Sequence, residues 1–223
     1  MADLPVKSLY VTFKKEIYPD IDDNLKAIPR KARRMVRQGE KNGLVSKTGH
    51  DLLPEFYALL AKNYHRLGTP IFSRRLFKNF IDIFGDRTQL LLVFSDEGLP
   101  VAGVFTFFFK DQVLPYYAGS DFRFRRLAPN DFMYWELLRY GWEQEYKIFD
   151  YGRSKVDTGS YHFKRHWGFE AVPLAYQYHL VQSKEIPNLS PANPRYAAKV
   201  ELWKKMPHFA TKILGPPIAR YLA

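Results

Sequence analysis

The chain has 223 residues, 46% hydrophobic and 17% aromatic, which is enough apolar mass for a packed core and the length of one medium domain with flanking elements. It contains no cysteine, which excludes disulfides, thiolate metal sites and a thiol nucleophile and fits a reducing cytoplasm. The net charge of +11 is unevenly placed: Asn24 to Lys41 holds seven basic residues and one acid, and Lys184 to Ala223 holds seven basic residues and two acids. Two basic flanks around a nearly neutral centre attract phosphates, nucleic acid or anionic lipid, or else form two solvated helical faces.

The opening MADLPVKSLYVTFKKE lacks the basic-then-apolar order of a secretory leader. Ile28-Pro29 followed by RKARRMVRQGEKNG predicts a helix with proline in its first turn and Gly43 at its stop. Leu44 to Lys47 reads as a short strand. Leu53, Phe56, Leu60, Tyr64 and Leu67 recur at helical spacing up to Gly68. Ser73 then caps a second helix through Leu76, Phe77, Phe80 and Phe84 to Gly85. Thr88 to Phe94, Pro100 to Lys110 and Val113 to Gly119 are β-branched or aromatic runs joined by tight connections, which predicts three antiparallel strands. The longest apolar run, Val101 to Phe109, is too short to span a bilayer as a helix. These features predict a soluble, cytoplasmic chain that need not avoid membrane surfaces.

Pro129-Asn130-Asp131 opens a helix striped by Phe132, Trp135, Leu138 and Trp142. A short strand at Ile148 to Tyr151, a short helix at Ser160 to Trp167 and a strand at Ala171 to Val181 follow. Asn193-Pro194 begins a last helix with Tyr196, Val200 and Trp203 on one side, and Pro207 and Gly215-Pro216-Pro217 should break the tail. The expected organisation is an N-terminal segment and basic helix (1–43), an α/β domain (44–183) and a basic amphipathic tail (184–223). The order resembles that of the GNAT N-acyltransferase fold: a single domain with a mixed, mostly antiparallel sheet flanked by helices.

The chemistry is narrower. An acetyl-CoA-dependent member of that fold places a glycine-containing phosphate loop after its fourth strand, ahead of a helix N-terminus. Here the stretch is DFRFRRLAPN, with three arginines and no glycine. His162 and His166 sit four apart, but no carboxylate shares their helix, so they read as surface or packing histidines and no metal is expected. Nucleophile-elbow, Walker and dinucleotide motifs are absent. Gly152-Arg153-Ser154-Lys155 follows a strand end, where α/β folds place sites. The next helix mixes Tyr161, Phe163 and Trp167 with Lys164 and Arg165, which suits an anionic ligand or else a core anchored by aromatics with solvated cations.

FDYGRSK and GSYHFKRHWGF, within Phe149 to Glu170, resemble a motif of the FemAB family of aminoacyl-tRNA-dependent peptidyltransferases of bacterial cell-wall assembly. The closest branch is the one associated with exopolysaccharide and PEP-CTERM (exosortase) loci. IPRKARRMVRQGEKNGL resembles that family's basic helix, and NPRYAAKVELWKKMPHFATKILGPPIARYLA its ending. The resemblance runs from about Ile28 to the C-terminus and matches the second of the two GNAT-like halves that such enzymes usually have. It implies a missing first half or a homodimer.

The resemblance also implies an amide-forming acyl or aminoacyl transferase. Its activated donor would be aminoacyl-tRNA before acyl-CoA, with no bound cofactor, and its acceptor an amine on an envelope or exopolysaccharide precursor. Lys164 would be catalytic. Tyr117, Arg153, Ser154, Lys155, Tyr161, Phe163 and Trp167 would contact substrate, and Arg30, Arg33, Arg34 and Arg37 would contact RNA or phosphate. Peripheral contact with the inner membrane belongs to the same expectation. The alternative is a binding module without chemistry that docks RNA or an anionic membrane through the basic flanks. In that reading Trp203, Phe209, Ile213 and Leu214 among lysines favour the membrane.

Overall fold

The structure, a computed structural model, describes residues 4–181, 186 and 194–221. It opens with a strand, β1 (Val6–Glu16), and a short helix, α1 (Ile21–Lys26), capped by the Asp20 carboxylate on the N–H groups of Asp22 and Asp23. The basic helix α2 (Arg30–Lys41) follows, then β2 (Val45–Thr48), α3 (Leu53–Leu67) and α4 (Arg74–Phe84). Ser73 caps α4 through Leu76 N–H, and α3 ends on left-handed Gly68, both as the sequence predicts. The three antiparallel strands are β3 (Thr88–Phe94), β4 (Pro100–Phe109) and β5 (Gln112–Ser120). A 3-10 segment, Phe122–Leu127, leads into α5 (Pro129–Glu143). Then come β6 (Ile148–Asp150), β7 (Ser154–Lys155), α6 (Gly159–His166), β8 (Glu170–Gln177), α7 (Pro194–Lys205) and α8 (His208–Ala219).

All eight strands form one sheet, ordered β2-β3-β4-β5-β6-β1-β7, with β8 on the other edge of β1. Among the described residues only the β5–β6 pairing is parallel. The fold is therefore α/β with a mixed, mostly antiparallel sheet flanked by helices. One face carries α3 and α4 over a core of Phe56, Leu60, Phe77, Leu90, Leu92 and Phe105. The other carries α2, α5 and α6 over Phe13, Val36, Leu91, Val104, Met133, Phe149 and Trp167.

Three sequence expectations are corrected. The first 23 residues supply an inner strand: β1 alternates Leu9, Val11 and Phe13 toward one face with Tyr10, Thr12 and Lys14 toward the other. The last strand stops at Gln177, short of Val181. The tail breaks at Pro207, as expected, between the end of α7 at Lys205 and the start of α8 at His208, but it is not broken at Pro216 and Pro217, which lie inside α8. Those prolines leave the carbonyls of Lys212 and Ile213 without helical partners, but both residues are exposed to water. Asn193 and the 183/184 boundary lie outside the described residues.

Candidate functional site

The two parallel strands pair in register at Gln112 with Ile148 and Val113 with Phe149. Beyond that point β5 runs on to Ser120, while the other chain turns away at Gly152 and pairs with β1 as β7. A wedge opens between them. Gly152 has φ +65°, a left-handed turn that favours glycine. On the opposite wall Phe105 pairs with Tyr117 and Thr106 with Pro115, so Tyr116 is an extra, bulged residue. Bulges of this kind re-aim side chains beside sites.

Asp150 ends β6 inside the wedge. Its carboxylate faces the Lys14 ammonium at 3.1 Å and accepts from Gly152 N–H at 2.8 Å and Thr12 Oγ1 at 3.4 Å. From the other side of the same turn, Lys164 donates from Nζ to Tyr151 O at 2.6 Å and Gly152 O at 3.1 Å. That ammonium also lies over the rings of Phe13 and Tyr151, at 5.7 and 5.6 Å. Burial lowers the Lys164 pKa to about 8, opposed by the charge of Asp150. The turn at the wedge is thus held from both sides by charged groups.

Arg153 stands at the mouth, its guanidinium 4.6 Å over the Tyr10 ring and 5.9 Å from that of Tyr176, whose hydroxyl it meets at 3.4 Å. The Tyr176 hydroxyl raises its pKa further, with lesser contributions from Tyr10 and from Tyr116 across the wedge. Tyr116 is 67% exposed and touches Tyr117 and Phe107. Tyr117 itself is half-buried among Phe72, Phe77 and Phe80. Ser154 is buried and takes a 3.4 Å hydrogen bond from Ser160, while Lys155 pairs in register with Tyr10.

The aromatic residues of α6 mostly pack. Trp167 is 1% exposed and its Nε1 donates to Asp131 at 2.9 Å, pinning α6 to the start of α5. The expectation that Trp167 contacts substrate is corrected on that ground: its indole belongs to the core. Phe163 lies between Tyr134 and Trp167, and Tyr161 packs edge-on against Phe13. Arg30, Arg34 and Arg37 are exposed on α2, whose buried seam is Ala32, Val36 and Gly39; Arg33 is half-buried. Among the described residues none of these four arginines makes an ion pair. They stand away from Lys14, Asp150 and Arg153, on the face of the sheet that carries α5 and α6.

The glycine-free stretch after β5 does adopt the bend a glycine would take, since Ala128 has φ +59°. The start of α5 is nevertheless poor for phosphate. Pro129 brings no N–H, and the Asp131 carboxylate occupies the first turn. Arg123 is bound to Asp121 through Nε and NH2, at 2.6 to 3.1 Å. Arg125 lies 4.3 Å over Phe122. Among the described residues no group of three or more His, Asp or Glu could hold a metal ion.

Sequence reading missed Tyr10, Thr12, Lys14, Tyr116 and Tyr176. The alternation in Val6–Glu16 was the available signal for the first three.

The profile of the family described as "Acetyltransferase (GNAT) domain" matches residues 25–165. No curated protein matches the chain. Among solved structures, "FemX" aligns with TM-score 0.67 at 17% identity, covering 75% of this chain and 61% of its own. The C-terminal domain of a protein assigned as a lysylphosphatidylglycerol synthetase from Agrobacterium fabrum aligns with TM-score 0.59 at 13% identity, covering 78% and 61%. L-PGS from Bacillus licheniformis aligns with TM-score 0.54 at 14% identity, covering 80% and 63%. The chain thus spans somewhat over three fifths of each of these structures, and at such identities the likeness is one of fold.

Proposed function

Since the chain belongs to the acetyltransferase (GNAT) domain family, we propose that it moves an activated aminoacyl or acyl group onto an amine of a cell-envelope precursor. A transferase of this family takes its acyl donor as a substrate and needs no cofactor. One observation carries the proposal: the Lys164 ammonium is fixed under the turn that forms one wall of the wedge. Two of its three N–H groups are taken by carbonyls, and the third remains for an oxyanion. The acceptor amine attacks the carbonyl carbon of the donor ester, and the C–N bond forms. Negative charge builds on the carbonyl oxygen beside Lys164. The carbonyl then re-forms as the C–O bond to the donor breaks, the amine's proton passes to water, and the leaving oxygen takes a proton from water to depart as an alcohol.

The start of α5 favours aminoacyl-tRNA over acyl-CoA, because a pyrophosphate would meet Pro129 and the Asp131 carboxylate there. The unpaired arginines of α2 give an RNA backbone its electrostatic contact. The FemX and lysylphosphatidylglycerol synthetase likenesses support an envelope acceptor. The exopolysaccharide association rests on the sequence resemblance alone.

The test is transfer by the purified chain with aminoacyl-tRNA and with acyl-CoA, comparing wild type with Lys164→Met. A loss of about 100-fold or more with the fold intact is expected. Unchanged turnover removes Lys164 from the mechanism. Absence of turnover with either donor, together with salt-sensitive RNA binding, favours the binding module instead.

A further inference from the structure

Helix α8 is turned inside out relative to an ordinary surface helix. Its seam toward the domain is Thr211, Gly215 and Ala219, three small residues at spacing four, all buried. A Cβ on Gly215 would come within 3.0 Å of Ile71 N and 3.1 Å of Ile71 O, so the helix backbone rests directly on the chain beyond α3. Thr211 Oγ1 lies 3.0 Å from His65 Nδ1 and fixes the same seam. The large apolar residues point away: Phe209 and Ile213 are each 69% exposed, and Leu214, Ile218 and Tyr221 are also open to solvent. A helix that seats itself by small residues and presents its large ones to water has a partner for that face.

Charge selects the partner. No acid follows Glu201 in the sequence, and Glu201 itself is paired with Lys204 at 2.7 Å. Lys205, Lys212 and Arg220 are exposed on the same two-helix tail, with the Lys212 ammonium 5.9 Å from the Tyr57 ring. A second copy packed isologously through this face would set those cations against themselves. An anionic lipid surface answers both features, with acyl chains for the apolar stripe and headgroup phosphates for the cations. We propose that the exposed face of α8 docks the protein on an anionic lipid surface, the helix lying in the plane of the interface. Of the four tail residues that the sequence singled out for such contact, Trp203 is excluded, since it is buried against the domain. The proposal does not depend on the transfer reaction. Among the described residues no helix is long and apolar enough to cross a membrane, so the contact is peripheral.

The experiment is flotation of the full chain with vesicles of phosphatidylcholine alone and of phosphatidylcholine with 30 mol% phosphatidylglycerol, at low and high salt. The variants are Phe209→Ser with Ile213→Ser, and Lys205→Gln with Arg220→Gln. All four side chains are exposed, and circular dichroism verifies the fold. At least tenfold tighter binding to the anionic vesicles is expected, weakened by salt. The apolar pair should lose at least tenfold and the charge pair roughly 30-fold, from about 1 kcal/mol per cation at the surface. Absent binding, or equal binding to both compositions, overturns the proposal. So does self-association in sedimentation equilibrium that the apolar pair abolishes while vesicle binding stays unchanged.

Discussion

Lys164 is the residue on which burial, charge and chemistry meet. Its ammonium is desolvated yet bound to two carbonyls, and desolvation brings its pKa down to about 8 from an ordinary value near 10.5. Two opposite pH trends follow. An ammonium that steadies an oxyanion is lost above that pKa, so kcat/KM should fall about tenfold per pH unit beyond pH 8. Lys164→Arg, where it retains activity, should not show that fall. Stability moves the other way. Between about pH 8 and 10.5 the native state binds fewer protons than the unfolded chain, so the unfolding free energy rises with pH there. The rise reaches up to about 1.4 kcal/mol per unit, and Lys164→Met should flatten it in denaturant titrations across that window. A wild-type slope that Lys164→Met leaves unchanged would place the titration elsewhere.

The elements differ in how much of them the sequence displays. Helices α3 and α4 and strands β3 to β5 were legible because each carries its own period and local punctuation, such as Ser73 and Gly68. β1 was not, because it is completed by strands more than 130 residues away and no local signal announces such pairing. α8 was masked by Pro216 and Pro217, which read as breakers but sit where water can satisfy the freed carbonyls. At the candidate site, the motif pointed to Lys164, but its two carbonyl partners depend on the left-handed turn at Gly152. The basic helix was legible by charge, yet its contact with α5 was not. A Cβ on Gly39 would lie 2.7 Å from Phe132 Cβ, an atom close to the backbone that cannot swing aside. Gly39→Val should therefore part α2 from α5 and cost about 1–3 kcal/mol, more than its gain in helix propensity returns. Gly159→Ala, at an α6 position with nothing within 4 Å, should be neutral or mildly stabilising. Thermal unfolding of the two variants settles the comparison, and equal midpoints would refute close packing at Gly39.

At the scale of the whole molecule, the sheet is joined in its middle by the segment that looks most dispensable in sequence. β1 pairs with β6 and β7 along one edge and with β8 along the other. It buries Val11 and Phe13 under α6 and supplies Lys14 and Thr12 to Asp150. Without it, β6 would keep only its two-residue pairing with β5, and β8 would lose every strand partner. The turn at Gly152 would then have no frame, because Tyr151 N–H donates to Phe13 O at 2.9 Å. A chain beginning at residue 18 should therefore not merely lose the wedge. It should bind hydrophobic dyes and unfold without a cooperative transition, while keeping part of its helical signal from α3, α4 and α5. If that truncated chain unfolds cooperatively at the wild-type midpoint, β1 is an appendage. In that event the wedge has to be assigned to β5 and β6 alone.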